Sequence, residues 1–176
     1  MKKSLPGLVL LAFAACSSSS PDGGTNNIDG GGALGDSPIV VSGNVTLSGG
    51  VTGTGTLSVT GLKGDADAFT SIAMAGLAPL PANVKTLAVA IKINGAPTAK
   101  DYLTADITGG VVIMTNDNKA YSAGAGAGTI GTLHLTAADG IDHAQNTTVY
   151  RLHGTFSATL ANITGGSDTV MLSATF

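Results

Sequence analysis

Thr148–Leu160 reads TVYRLHGTFSATL. Tyr150, Leu152, Phe156, Ala158 and Leu160 fall on one side of this stretch, and Arg151, His153, Thr155 and Ser157 on the other. A side-chain period of two is the signature of a strand with one face buried and one in water. The rhythm resumes after Thr164-Gly165-Gly166-Ser167 in TVMLSATF, where Val170, Leu172, Ala174 and Phe176 align. Two alternating runs split by a glycine-containing turn predict an antiparallel hairpin.

The same alternation extends upstream. IVVSGNVTLS sets Ile39, Val41, Val45 and Leu47 against Ser42, Asn44, Thr46 and Ser48. GTLSVTG pairs Leu57 and Val59 against Ser58 and Thr60, and TLAVAIKI aligns Leu87, Val89, Ile91 and Ile93. GVVIMTN is a short apolar run, and TIGTLHLTA sets Leu133 and Leu135 against Thr132, His134 and Thr136. The breaks SGGVTG, KGDAD, LAPLPAN, INGAP, TNDN, AADG and TGGSD are turn material. One helical candidate exists: Phe69, Ile72, Ala73 and Leu77 share a helical face, although the segment is short enough for a strand or loop. The expected fold is all-β, an antiparallel β-sandwich or small barrel of about eight or nine strands over residues 38–176. Lys92 and Arg151, on polar strand faces, are candidates for discouraging edge-to-edge pairing.

Composition points the same way and narrows function. All eleven acidic residues of the 176 are Asp, with no Glu, and Asp favours turns over helices. Without Met1–Ala15, six basic residues face eleven acidic ones, a net charge of −5. Scattered lysines and an acidic balance offer no stripe for phosphates, so nucleic acid is not an expected partner.

The N-terminus carries addresses rather than fold. Lys2 and Lys3 precede the apolar run Leu5–Ala14, which is too short to span a bilayer, and the small residues Ala14 and Ala15 lead into Cys16. This arrangement resembles the signal of a bacterial lipoprotein, whose lipobox ends in two small residues and a cysteine. The resemblance covers the first twenty or so residues. It implies removal of residues 1–15 and lipid attachment at Cys16, the one cysteine of the chain. Ser17, in place of Asp, resembles the outer-membrane sorting class, which implies a lipid-anchored outer-membrane location. The lipobox usually has Leu where this chain has Phe13. Ala12-Phe13-Ala14 also fits an ordinary A-x-A cleavage site, which would leave a secreted or periplasmic protein with a free thiol. Residues 16–37, rich in Ser, Gly, Asn and Asp, cannot offset their ordering entropy by burial and read as a disordered tether.

At the other end, GTFSATLANITGGSDTVMLSATF resembles the close of small β domains in uncharacterised bacterial lipoproteins. Gly154, Phe156, Leu160, Gly165, Gly166 and Phe176 carry that likeness. It implies a fold and no chemistry.

Candidate chemistry is sparse. His134 and His153 sit on polar strand faces and could converge if their strands are neighbours; a zinc site would need a third ligand such as His143 or Asp142. Asp65-Ala66-Asp67, Asn116-Asp117-Asn118 and Asp139-Gly140-Ile141-Asp142 are acidic turns, and calcium is the one ion they could collect, although Asp and Asn also serve turns locally. The glycines of Ala123–Gly131 lack the following helix and Lys-Ser/Thr of a phosphate loop and suit a bent strand better. No G-x-S-x-G elbow occurs, and Asp101 and Asp106 are the nearest carboxylate pair. Sugar sites usually stack aromatic rings, and only Tyr102, Tyr121 and Tyr150 could serve, with no Trp. The expectation is a non-enzymatic binding or structural module, without cofactor, held at the membrane by its lipid and meeting an unidentified envelope protein or ligand. A small outer-membrane β-barrel and a secreted hydrolase are the alternatives.

Overall fold

A computed structural model of the chain describes residues 41–124, 127, 129–144 and 146–176, with only the backbone for 142–144. The export signal, Cys16 and the tether lie outside the described residues.

Ten antiparallel strands form the domain: β1 (Val41–Gly49), β2 (Gly53–Gly64), β3 (Phe69–Leu77), β4 (Val84–Asn94), β5 (Lys100–Tyr102), β6 (Ile107–Thr115), β7 (Ala120–Gly124), β8 (Thr129–Ala144), β9 (Thr147–Asn162) and β10 (Thr169–Thr175). A 3-10 turn, Thr104–Asp106, separates β5 from β6. The β9–β10 hairpin forms as the alternation predicts, with Phe156 opposite Ala174 and Leu160 opposite Val170. Around the domain the order is β10-β1-β2-β3-β4-β6-β7-β9, and β9 pairs back onto β10. The hydrogen-bonded sheet therefore closes on itself. Of the two expected architectures this is the small barrel, and eight strands enclose an interior that side chains can just fill.

The apolar face of each strand supplies that interior. Val45, Leu47, Leu57, Val59, Leu87, Val89, Ile91, Ile93, Leu133, Leu135, Phe156 and Leu160 are all buried. Two buried threonines are satisfied: Thr70 donates to the Gly95 carbonyl at 2.6 Å, and Thr115 donates to the Lys119 carbonyl at 3.1 Å. Such pairing removes the cost of burying a hydroxyl.

One open local reading is settled and two change. Phe69–Leu77 is strand β3, and Thr70, Ile72 and Met74 point inward. The polar Thr70 and the outward Ala73 and Ala75 blur its alternation, whereas hydrogen bonding to β2 and β4 on both sides settles its conformation. Asp139-Gly140 is not a turn; it lies within β8, opposite Arg151 and Tyr150 of β9. Lys92 guards no edge, because β4 is paired to β3 and β6 on both sides of it. Arg151 likewise belongs to the central β9.

β7 and β8 are two halves of one path along β9. Ser122 pairs with Ala161, and Thr129, beyond the glycine-rich segment, pairs with Thr159. The register shifts again between Thr129 and Thr132, leaving one extra residue on β8, a bulge. Gly131 sits there with φ +96°, and a Cβ would run into the Ser157 carbonyl.

Two substitutions test this packing. Phe156→Ala should cost about 3–5 kcal/mol in urea unfolding, because it leaves a cavity beside β9, the strand that pairs with β2, β7, β8 and β10. Gly131→Ala should also destabilise, whereas alanine at the open Gly95→Ala position should matter less in space but still pay for its positive φ.

Candidate functional site

Cross-strand register decides which polar side chains meet. On the outer face of β8, His134 lies opposite Asp101 of β5 and, on its other side, opposite Thr155 of β9. His134 Nδ1 and Asp101 Oδ1 are 2.5 Å apart. The pair is open to water, with the two side chains 51% and 73% exposed. Asp101 holds one imidazole nitrogen, and among the described residues the other makes no hydrogen bond to a hydroxyl. The pair links the three-residue β5 to β8, beside Lys100, whose ammonium lies 4.6 Å from the centre of the Tyr102 ring.

His153 occupies the same outer face of β9 as Thr155 and Ser157, and β8 and β9 are indeed neighbours. His153 sits beside Ala137, past a bulge, rather than opposite His134. Asp142 and His143 lie on the β8 backbone opposite Val149 and Thr148, and their side chains lie outside those described. Asp139 faces Arg151 in register. Among the described residues no cluster of three or more His, Cys, Asp or Glu stands together.

Aspartates of the turns bond within the protein. Asp67 accepts the Gly64 N–H at 3.2 Å, and Asp117 accepts the Asn83 side-chain amide at 3.3 Å, joining two turns. Asp106 accepts the Leu103 N–H at 3.0 Å and fixes the 3-10 turn.

Sequence reading missed two features. The first is a polar clamp at one end of the barrel. The Tyr121 hydroxyl, on a ring wholly buried in the core, donates to Asp168 Oδ2 at 2.6 Å, and Asn162 donates to Asp168 Oδ1 at 2.6 Å. These bonds tie β7 to the β9–β10 turn. The Tyr121 hydroxyl and the Asn162 amide hold the Asp168 carboxyl below its ordinary range, and Lys119 adds to the effect from 4.0 Å. The hydrogen bond to Asp168, with burial, pushes Tyr121 up to about 12.

The second feature is a row of hydroxyls. Register places Thr54 of β2, Thr46 of β1, Ser173 of β10, Ser157 of β9 and Thr132 of β8 side by side across five adjacent strands. Single-strand alternation marked Thr46, Ser157, Ser173 and Thr132 as outward but could not align them, and it did not reach Thr54. Thr132 and Ser157 bond each other at 3.0 Å. A groove of about 470 Å³ runs over this face, walled on one side by Thr104 of the 3-10 turn, whose hydroxyl donates to the Gly131 carbonyl at 3.0 Å.

The clamp makes stability depend on pH in a stated sense. Asp168 has a lowered pKa, so its contribution is present above the ordinary carboxylate range and fades as pH falls through its folded value. Tyr121 has a raised pKa, so its contribution is present below about 10 and fades as pH rises through about 12. Tyr121→Phe should lower Tm at neutral pH, and the gap from the unaltered chain should close in acid; a gap independent of pH would contradict the clamp.

No protein-family model matches the chain, and comparison with curated proteins and with solved structures likewise gives no match.

Proposed function

We propose that the chain is a lipid-anchored envelope protein whose barrel is a non-enzymatic binding or structural module, held at the outer membrane by Cys16 through the tether at residues 17–37. The observation that carries this reading is the polarity of the wall formed by β1, β9 and β10, whereas Leu62, Phe69, Val112 and Met114 are exposed on β2, β3 and β6. Inward positions hold Leu, Ile, Val and Phe, so the interior is a packed core with no room for a channel. Outward positions on β1, β9 and β10 alternate to Thr and Ser, such as Thr46, Ser48, Thr155, Ser157 and Ser173. A barrel that crosses a membrane needs the opposite, an apolar band outside flanked by aromatic girdles. This polarity supports a domain bathed in water and tied to the membrane by something else, which Cys16 supplies. The Asp101–His134 pair is open to water, at 73% and 51% side-chain exposure, and is compatible with a binding role.

Mass spectrometry of the mature protein should find Cys16 at the N-terminus with a covalent diacylglyceryl group. The Cys16→Ala chain should move from the membrane fraction to the aqueous phase. A mature chain starting at Ala15 with a free thiol would sink the anchor, and retention of Cys16→Ala in detergent would favour a membrane barrel.

A further inference from the structure

We infer that the groove across β1, β10, β9 and β8 binds an uncharged, hydroxyl-rich chain, a stretch of neutral glycan. The inference rests on the binding-module half of the reading above and is independent of the anchor.

The lining carries no charged side chain. An anionic ligand would find no cation there, and a cationic one no carboxylate. The polar groups are hydroxyls, each able to donate or accept as its rotor turns. Among the described residues, Thr46, Ser48, Ser173 and Thr159 have no side-chain partner in the protein, so these hydroxyls remain available for a ligand. A purely apolar ligand would strip water from them and leave them unpaired, at about 1–3 kcal/mol each.

A sugar ring presents what this floor lacks a partner for. Its hydroxyls match groups that can give or take a proton, and its C–H faces suit the threonine methyls and Met171, which is 59% exposed. The hydroxyls recur once per strand, roughly 4.8 Å apart across neighbouring strands. Such a periodic row suits a repeating chain better than a single compact molecule. The concavity comes from the 3-10 turn, held over the sheet by the Thr104–Gly131 hydrogen bond and by Asp106 on the Leu103 N–H. With no aromatic ring in the lining, affinity comes from hydroxyl contacts and is modest.

The test uses the full chain carrying Cys16→Ala, titrated by NMR and calorimetry with maltohexaose, with cellohexaose and with glucose. At least one hexasaccharide should bind saturably, with a Kd of about 1 mM or tighter. Glucose should bind at least about tenfold more weakly, since a row engages several rings at once. Ser173→Leu, which fills the groove from its centre, should weaken the hexasaccharide about tenfold or more, and Lys92→Ala, on β4 away from it, should leave the Kd unchanged. If Ser173→Leu alters the melting curve, the paired hydroxyl deletions Ser173→Ala and Thr46→Val take its place, with the same expected loss. No saturable binding of either hexasaccharide overturns the proposal. So does a Kd untouched by the groove variants, or glucose binding as tightly as the hexamers, which would assign the groove to a small free polyol. Glycan binding by a chain found to lack lipid would sink the anchor alone; a lipidated chain that binds no glycan would sink this inference alone.

Discussion

Everything else in the domain depends on how β9 shares its hydrogen bonds. Its sixteen residues serve four partners: β2 at Thr147–Tyr150, β10 at Thr155–Ala161, β8 along most of its length and β7 at Ala161–Asn162. β2 and β9 touch directly at one end and splay apart, and β1 with β10 fill the gap. Closing the ring in this way pairs the strand edges that an open sandwich would leave as templates for aggregation. It also fixes register, because each of those ladders must be satisfied at once.

Closure then dictates where function can reside. An eight-stranded ring leaves only enough interior for side chains, and Leu, Ile, Val, Phe and the buried Tyr121 occupy it. The binding role proposed above therefore falls to the outer wall. That wall is shaped where the β7–β8 path breaks, since the bulge at Gly131 draws β8 close to the Ser157 carbonyl and gives the 3-10 turn a place to attach. A flat ladder becomes a groove at that point. The irregularity that relieves the path along β9 is the feature that gives the outer face its relief.

The Tyr121–Asp168–Asn162 clamp has a different task. The β7–β9 seam consists of two residue pairs, the shortest ladder in the ring. A buried ring anchored by a short charge-assisted bond reinforces that narrow contact from the core side. The polar group is satisfied in place, so its burial carries no orphaned donor.

Which residues face inward was legible in the one-dimensional pattern. Leu152, Phe156, Leu160, Val170 and Leu172 follow from a period of two, because the backbone pleat alone sends alternate side chains to opposite faces. The hairpin at Thr164–Ser167 was legible for the same local reason. The passage of β8 through Asp139-Gly140 was not, and the choices of strand for β3 and of closed ring over sandwich were left open, since each depends on hydrogen bonds to residues distant in sequence. The site divides along the same line. Alternation alone establishes that Thr46, Ser157 and Ser173 are outward. That they form one row with Thr132, and that His134 meets Asp101 and not His153, is set by register between strands, which loops and bulges control and no single strand encodes.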